Sequence, residues 1–243
     1  MRKISVILIS AALSLLLCAC LKGEVLFSPD TVQPLSDSDI IRMNESAEIV
    51  YDDGGIMRSI SCGGGLDGTE VTSKRSAIEF VHSVSTQLGI SDTPSQLRLD
   101  SRYKSADGQS ELYVFIRSCS GVPVLDSFVM LEQSGGEVTR LTSTFIPELE
   151  PLREKARISV TQAFVSAEEQ LSLSVGERTI GSPLLAYFTG DDGILRLVYS
   201  FEIYSGGEFA YYCISDAATG ELLYTDSENS RYFAVPSGWE RIE

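Results

Sequence analysis

The sequence predicts an α+β fold made of two successive helix-plus-antiparallel-sheet units, and three observations lead there. Two amphipathic stretches carry helix-capping signals, and each is followed by four strand-like runs. The turns between those runs are too short for parallel crossovers, so the strands must pair as antiparallel meanders. Pro147 and Pro151 separate the two units.

In the first unit, Thr72 and Ser73 precede Ala77, Ile78, Val81, Val84 and Leu88, apolar positions at helical spacing, and Gly89 follows. This predicts an amphipathic helix with an N-cap and a glycine stop. Strands follow at 97–103, 111–118, 122–132 and 137–145, divided by Ala106-Asp107-Gly108, Cys119-Ser120-Gly121 and Ser134-Gly135-Gly136. The second unit opens on Ser159-Val160-Thr161-Gln162, a capping-box pattern. Its apolar stripe is Val160, Ala163, Phe164, Ala167 and Leu171, and strands are expected at 184–188, 194–204, 209–215 and 221–225. Gly190-Asp191-Asp192-Gly193, Ser205-Gly206-Gly207 and residues 216–220 supply the turns. The halves end alike, in Gly136-Glu137-Val138 and Gly220-Glu221-Leu222, which suggests a repeated helix-plus-meander unit.

Ahead of these units, Met1-Arg2-Lys3 is a positive n-region and Ile4 to Leu17 is an apolar run. The run suits a signal peptide but is short for a bilayer core, which needs about 20 residues. It ends Leu17-Cys18-Ala19-Cys20, which resembles a bacterial lipobox. Residues 1–19 are then the signal peptide, and acylated Cys20 anchors the chain to a bacterial membrane from the extracytoplasmic side. The alternatives are a plain secretory signal cut near Ala19 and an uncleaved anchor. Residues 20–50, with Pro29 and Pro34, read as a tether. Asn44-Glu45-Ser46 matches a glycosylation sequon, a chance match in a bacterial lipoprotein. The divisions are therefore 1–19, 20–50, 51–150, 151–227, and a tail over 228–243.

Charge and chemistry narrow the function classes. Of the 243 residues, 34 are acidic and 19 basic, a net charge of −15 that argues against a nucleic-acid partner. A single histidine, His82, excludes HExxH zinc chemistry and reads as structural within the first helix. Cys62, Cys119 and Cys213 remain in the body; an odd number cannot all pair, and their spacing fits no metal motif. Gly63-Gly64-Gly65-Leu66-Asp67-Gly68 matches G-x-G-x-x-G. It lacks the Lys and Ser/Thr of a P-loop and a following parallel strand, so it reads as a flexible turn leading into the first helix. Asp37-Ser38-Asp39, Asp52-Asp53-Gly54-Gly55 and Asp191-Asp192-Gly193 lack the offsets and distal Glu of a calcium loop. No catalytic residue, metal or cofactor is expected. The tail from Arg231 holds the only tryptophan, Trp239, and is either a partner anchor or a segment packed back on the sheet.

Gly121-Val122-Pro123-Val124 follows the strand ending Arg117-Ser118-Cys119-Ser120, and Gly136-Glu137-Val138 and a Pro-Glu-Leu-Glu stretch at 147–150 come after it. This part resembles the fungalysin/thermolysin-propeptide domain and its "GVPV" hairpin. Residues 159–225 resemble the PepSY domain that succeeds it, through the capped helix with Ala163, the Leu-Val-Tyr run at 197–199, and Asp216-Ala217-Ala218-Thr219-Gly220-Glu221, similar to that domain's "DAxTGE". The likeness covers about two thirds of the chain and implies cystatin-like meanders. In the family the pair inhibits a zinc peptidase domain and helps it to fold. This sequence ends at Glu243 with no peptidase domain after it, and Cys119, Ser120 and Asp126 depart from the family pattern. The resemblance implies a non-catalytic, membrane-anchored protein that binds and inhibits or chaperones an extracytoplasmic peptidase. The alternative is a regulatory or structural envelope module for a non-peptidase partner such as a sensor ectodomain. An unrecognised enzyme is the third reading, with no nucleophile–base pair to support it.

Overall fold

The computed structural model describes residues 29–153, 155–173 and 178–242. Cys20 and the signal-peptide segment lie outside the described residues. The helices are α1 (Asp37–Met43), α2 (Lys74–Ser83), α3 (Thr93–Gln96) and α4 (Val160–Gln170). The strands are β1 (Glu48–Tyr51), β2 (Met57–Ser61), β3 (Leu97–Ser105), β4 (Ser110–Cys119), β5 (Val122–Ser134), β6 (Glu137–Ser143), β7 (Arg178–Phe188), β8 (Arg196–Ser205), β9 (Glu208–Asp216), β10 (Leu222–Asp226) and β11 (Trp239–Arg241). The α+β class expected from the sequence is what the chain adopts.

The expectation of two separate helix-and-sheet units is corrected. All eleven strands among the described residues hydrogen-bond into one sheet, ordered β1-β2-β6-β5-β7-β8-β9-β10, with β4, β3 and β11 branching from β5. The join is a parallel pairing of β5 with β7 at Val124 and Tyr187. Its cause is a difference in length. β5 has 13 residues and β6 has 7, and β6 pairs only with residues 129–134 of β5. The first end of β5 would be an open edge, and edges left unpaired invite pairing with another strand. β7 occupies it.

Register fixes which side chains meet. Ile60, Leu141 and Leu131 lie side by side across β2, β6 and β5, and all three are closed to solvent beneath α2. Their neighbours Ser59, Thr142 and Met130 point the other way, as the two-residue period requires. In the second half Phe201, Ile203 and Cys213 pack under α4, while Val198, Tyr212 and Ile214 face oppositely. Tyr232 of the tail packs into the opposite-face clusters of both halves, so one face of the sheet carries both helices and the other carries the tail.

Local differences have local causes. The first helix ends at Ser83 rather than running to Leu88, with Val84 at its C-cap. Val84 and Leu88 are nonetheless fully buried, so the apolar spacing reported burial and not helix length. Within the stretch read as a tether, α1 is capped by Ser36 in a reciprocal box with Asp39, and Ile40 is fully buried. β1 and β2, of 4 and 5 residues, were too short to show alternation. β7 starts six residues before the expected strand. Ser182, at φ +46°, and Pro183 break the pattern there, at a register shift between Gly181 and Leu184.

Candidate functional site

The two family-like motifs lie far apart in sequence, and the fold brings them together. Cys119 faces Val122 across the β4–β5 hairpin, leaving Ser120 and Gly121 as a two-residue turn with φ of +52° and +83°. Both central residues at positive φ is the turn geometry that matches strand twist. Pro123 and Val124 are buried behind it, and Val124 is the residue that meets Tyr187 at the join. Cys119, Val124 and Tyr187 pack with Leu149, Leu152 and Leu197.

Leu197 then leads to the second motif, because its carbonyl accepts the Ala217 amide at 2.9 Å. In the 216–221 turn, Asp216 Oδ1 accepts the Ala218 and Thr219 amides at 2.7 and 2.9 Å. The Gly220 amide donates to the Asp216 carbonyl at 2.9 Å, and the Glu221 amide to Thr219 Oγ1 at 3.2 Å. Ala217 is fully buried, and its carbonyl accepts the amides of Arg157 and Ile158. Gly220 sits at φ +79°, where an added Cβ would lie 3.2 Å from Ser166 Oγ and 3.3 Å from Ile158 Cδ1. Gln170, at the end of α4, donates to the Gly220 carbonyl and accepts the Leu222 amide. Asp216 and Thr219 close the turn itself, while Gln170 and the Ala217 carbonyl hold α4 and the segment before it to the turn.

A groove of about 250 Å³ opens beside this turn, lined by Leu152, Lys155, Ile194, Arg196, Leu197 and Asp216. Arg196 is tied to Asp192 at 2.5 Å, and its hydrogen bonds hold the Asp192 carboxyl down to about 2. Five large apolar side chains stand out from the second half: Val165 on α4, Ile180, Leu184 and Leu185 on β7, and Ile194 at the rim of the groove. The sequence placed Leu184, Leu185 and Ile194 in strands and Val165 in a helix, but not on the outside, and it gave Ile180 no element. β7 bonds to β8 along its length and to β5 only near its end, so its first part is a sheet edge. Pro183 and the Ser182 bulge interrupt that edge, the usual guard against strand addition.

The remaining sequence candidates are built into the scaffold. The glycine-rich loop is clamped rather than flexible: Leu66 is fully buried and donates its amide to Val138, and Asn44 Nδ2 donates to the Gly63 and Gly65 carbonyls. A Cβ on Gly65 would lie 2.6 Å from Glu137 Cβ, so glycine there serves close packing and not an anion. His82 Nδ1 is 2.9 Å from Thr93 Oγ1, which links α2 to α3. Cys62, Cys119 and Cys213 are free thiols. Burial pushes Cys62 up and Cys213 up to about 12, which keeps that sulfur protonated and unreactive. Asp52 accepts the Gly54 and Ile56 amides and pairs with Arg58, which is turn chemistry. Asp37 accepts the Tyr51 hydroxyl and Asp39 belongs to the α1 cap. Among the described residues no three metal-ligating side chains come together, and no helix is long and apolar enough to cross a membrane. Trp239 is half-buried in β11, which pairs with β3, so the tail packs back on the sheet.

No known family profile matches the chain, and no curated protein does. Among solved structures it is similar to the Bacillus megaterium YpeB C-terminal domain, at 14% identity over 80% of this chain and 98% of that one, with a TM-score of 0.43. An overlap at that level fixes neither a common fold nor a common role.

Proposed function

We propose that this chain is a non-catalytic, propeptide- and PepSY-like binding module, held at the outer side of a bacterial membrane by acylated Cys20. Its partner is an extracytoplasmic peptidase, which it inhibits or helps to fold. The observation that carries the reading is the exposed apolar residues on the helix face of the second half: Val165 on α4, and Ile180 and Leu185 on β7, which pair with the helix-face residues Ile203 and Tyr199. Exposed apolar side chains gathered on one face mark interaction sites, where isolated ones do not. The motif turns support it from behind, since the 216–221 turn and the Val124 join fix the strands and the helix that present this surface.

Residual activity of thermolysin-like peptidases mixed with the purified chain is the direct measurement. Inhibition that is lost in Leu185→Ser, with circular dichroism unchanged, is the expected result. No complex with any peptidase native to the same envelope would end the peptidase reading. Crosslinked membrane pull-down yielding only non-peptidase partners would instead favour the sensor-type alternative. Anchoring is tested separately: Cys20→Ala should move the protein from the detergent phase to the aqueous phase.

A further inference from the structure

The two halves are joined edge to edge by a short parallel pairing, and one chain segment crosses that join on each face. On the helix face the crossing segment is the connection between β6 and α4. Arg117 Nη2 donates to the Pro147 carbonyl there, and Leu149 and Leu152 pack over Val124. On the opposite face the crossing segment is the tail, which begins after β10 in the second half and ends as β11 on the outer edge of the first.

The tail's attachments are few and sit at its two ends and its middle. Arg231 Nη1 bonds Asp100 Oδ2 at 2.9 Å. The Tyr232 ring lies 5.1 Å from Phe188 and 4.9 Å from Tyr224, both of the second half. The Phe233 ring lies 5.6 Å from Phe128, of the first half. Trp239, Glu240 and Arg241 then pair with Ser105, Lys104 and Tyr103, and the Ile242 amide reaches the Arg102 carbonyl at 2.9 Å. Between the tail and the sheet lies a cavity of about 80 Å³, reached by Asp100, Ser200, Glu202 and Tyr212. Its walls mix these polar groups with Ile116, Leu125 and Phe233.

We infer that residues 227–242 form a releasable strap: a unit that locks the join between the halves and can lift off while both helix-covered cores stay folded. The physical ground is the difference in what each part would lose. Opening the strap breaks one partly exposed ion pair, a three-residue strand pairing and a few ring contacts, and it uncovers one small apolar cluster, Tyr103, Leu112, Val114 and Phe128, on which Phe233, Val235 and Trp239 pack. The core beneath α2 holds Phe115, Leu131, Leu141 and Phe145 with no exposure at all, and no strap residue is among the side chains that pack it. Lifting the strap bares Phe128 and Phe188, now almost fully covered, and frees the edge of β3. The aromatic surface stored under the strap is thus available without unfolding.

Native-state hydrogen exchange on the full chain tests this. The Ile242 amide is expected to exchange with protection at least about tenfold below that of the central amides of β4 and β5, a gap of about 1.4 kcal/mol in opening free energy. Tyr232→Ala should widen the gap, leaving the β4 and β5 amides unchanged. Trp239, the single tryptophan, gives a second readout: in urea its fluorescence should change before far-ultraviolet circular dichroism is lost. Equal protection for Ile242 and the central strands, together with coincident urea transitions, would show the strap to be an integral part of one cooperative unit and overturn the inference.

Discussion

The helices of the two halves begin with the same chemistry and end in different circumstances. Ser73 and Ser159 each accept the N3 amide, and the N3 side chain returns to the cap amide. Beyond the cap, α2 buries Ala77, Ile78, Phe80 and Val81 in a core that includes Phe115, Leu131 and Leu141. α4 buries only Ala163 and Ala167, with Phe164 half-covered and Val165 47% exposed. Buried apolar area stabilises by about 25 cal/mol per Å². The second half compensates with polar ties: Gln170 to the 216–221 turn, Arg178 to Glu168, and the Tyr199 hydroxyl to the Ile158 carbonyl. Each such tie contributes about 0.5–1.5 kcal/mol. The comparison teaches that the first half's helix is held mainly by buried apolar side chains, while the second half's helix covers a smaller core and leans more on polar ties.

Truncating the core residue Phe115 is expected to have the largest effect. Phe115→Ala should cost about 3–5 kcal/mol in urea unfolding, the usual range for a fully buried phenylalanine. Phe164→Ala, from the half-covered position on α4, should cost about 1–2 kcal/mol by the area it gives up. Equal losses would erase the distinction between the halves. Next in size comes the clamp of the second half. Gly220→Ala forces a Cβ against Ser166 and Ile158 at φ +79° and should cost about 1–3 kcal/mol, lost first from α4 signals. Gly121→Ala, at φ +83° with open space around it, carries only the backbone term of about 1–2 kcal/mol. A Gly121 variant as damaging as the Gly220 variant would mean that the clamp contacts contribute nothing.

What the sequence disclosed follows the same division. Strands β4, β5, β8 and β9 were legible because apolar, strand-like runs separated by short glycine turns leave little choice of pairing. Both capping serines were legible because a cap is a local bond between residues three apart. The join at Val124 and Tyr187 was not, since a parallel contact between residues 63 positions apart leaves no periodic trace. Nor was the short first hairpin, whose strands show exposed and half-buried faces with no clear alternation. Of the candidate site, the Val124 and Asp216–Glu221 motifs were visible, but their meeting through Leu197 was not. The exposure of Leu184 and Leu185 was also hidden. It results from β7 outrunning its neighbour β5, a property of the assembled sheet and not of either strand.

The caps offer a sharper control, since they are the feature the halves share. Ser73→Ala and Ser159→Ala should each cost about 1 kcal/mol. If α4 is the more weakly packed helix, the Ser159 change should also speed exchange of the α4 amides more than the Ser73 change does for α2. Equal exchange in both helices would place the two halves on one level of local stability.

The smallest effect separates two hairpin turns that look alike. Asp52 pairs with Arg58 in the first half and Asp192 with Arg196 in the second, and both carboxyls are held below the ordinary range. For Asp52 the leading cause is the Ile56 amide; for Asp192 it is the Arg196 guanidinium. A depressed carboxyl contributes stability that is present above its unfolded value, about 3.9, and is lost as pH falls through the folded value, about 2 for Asp192. Carboxyl-carbon titration by NMR from pH 5 downward should therefore find the Asp192 midpoint near 2, and 1 M salt should raise it toward the ordinary value. Salt screens an exposed ion pair more than a bond from a backbone amide at short range, so Asp52 should move less. A salt shift of equal size at both aspartates would mean that the same pairing with arginine governs both turns.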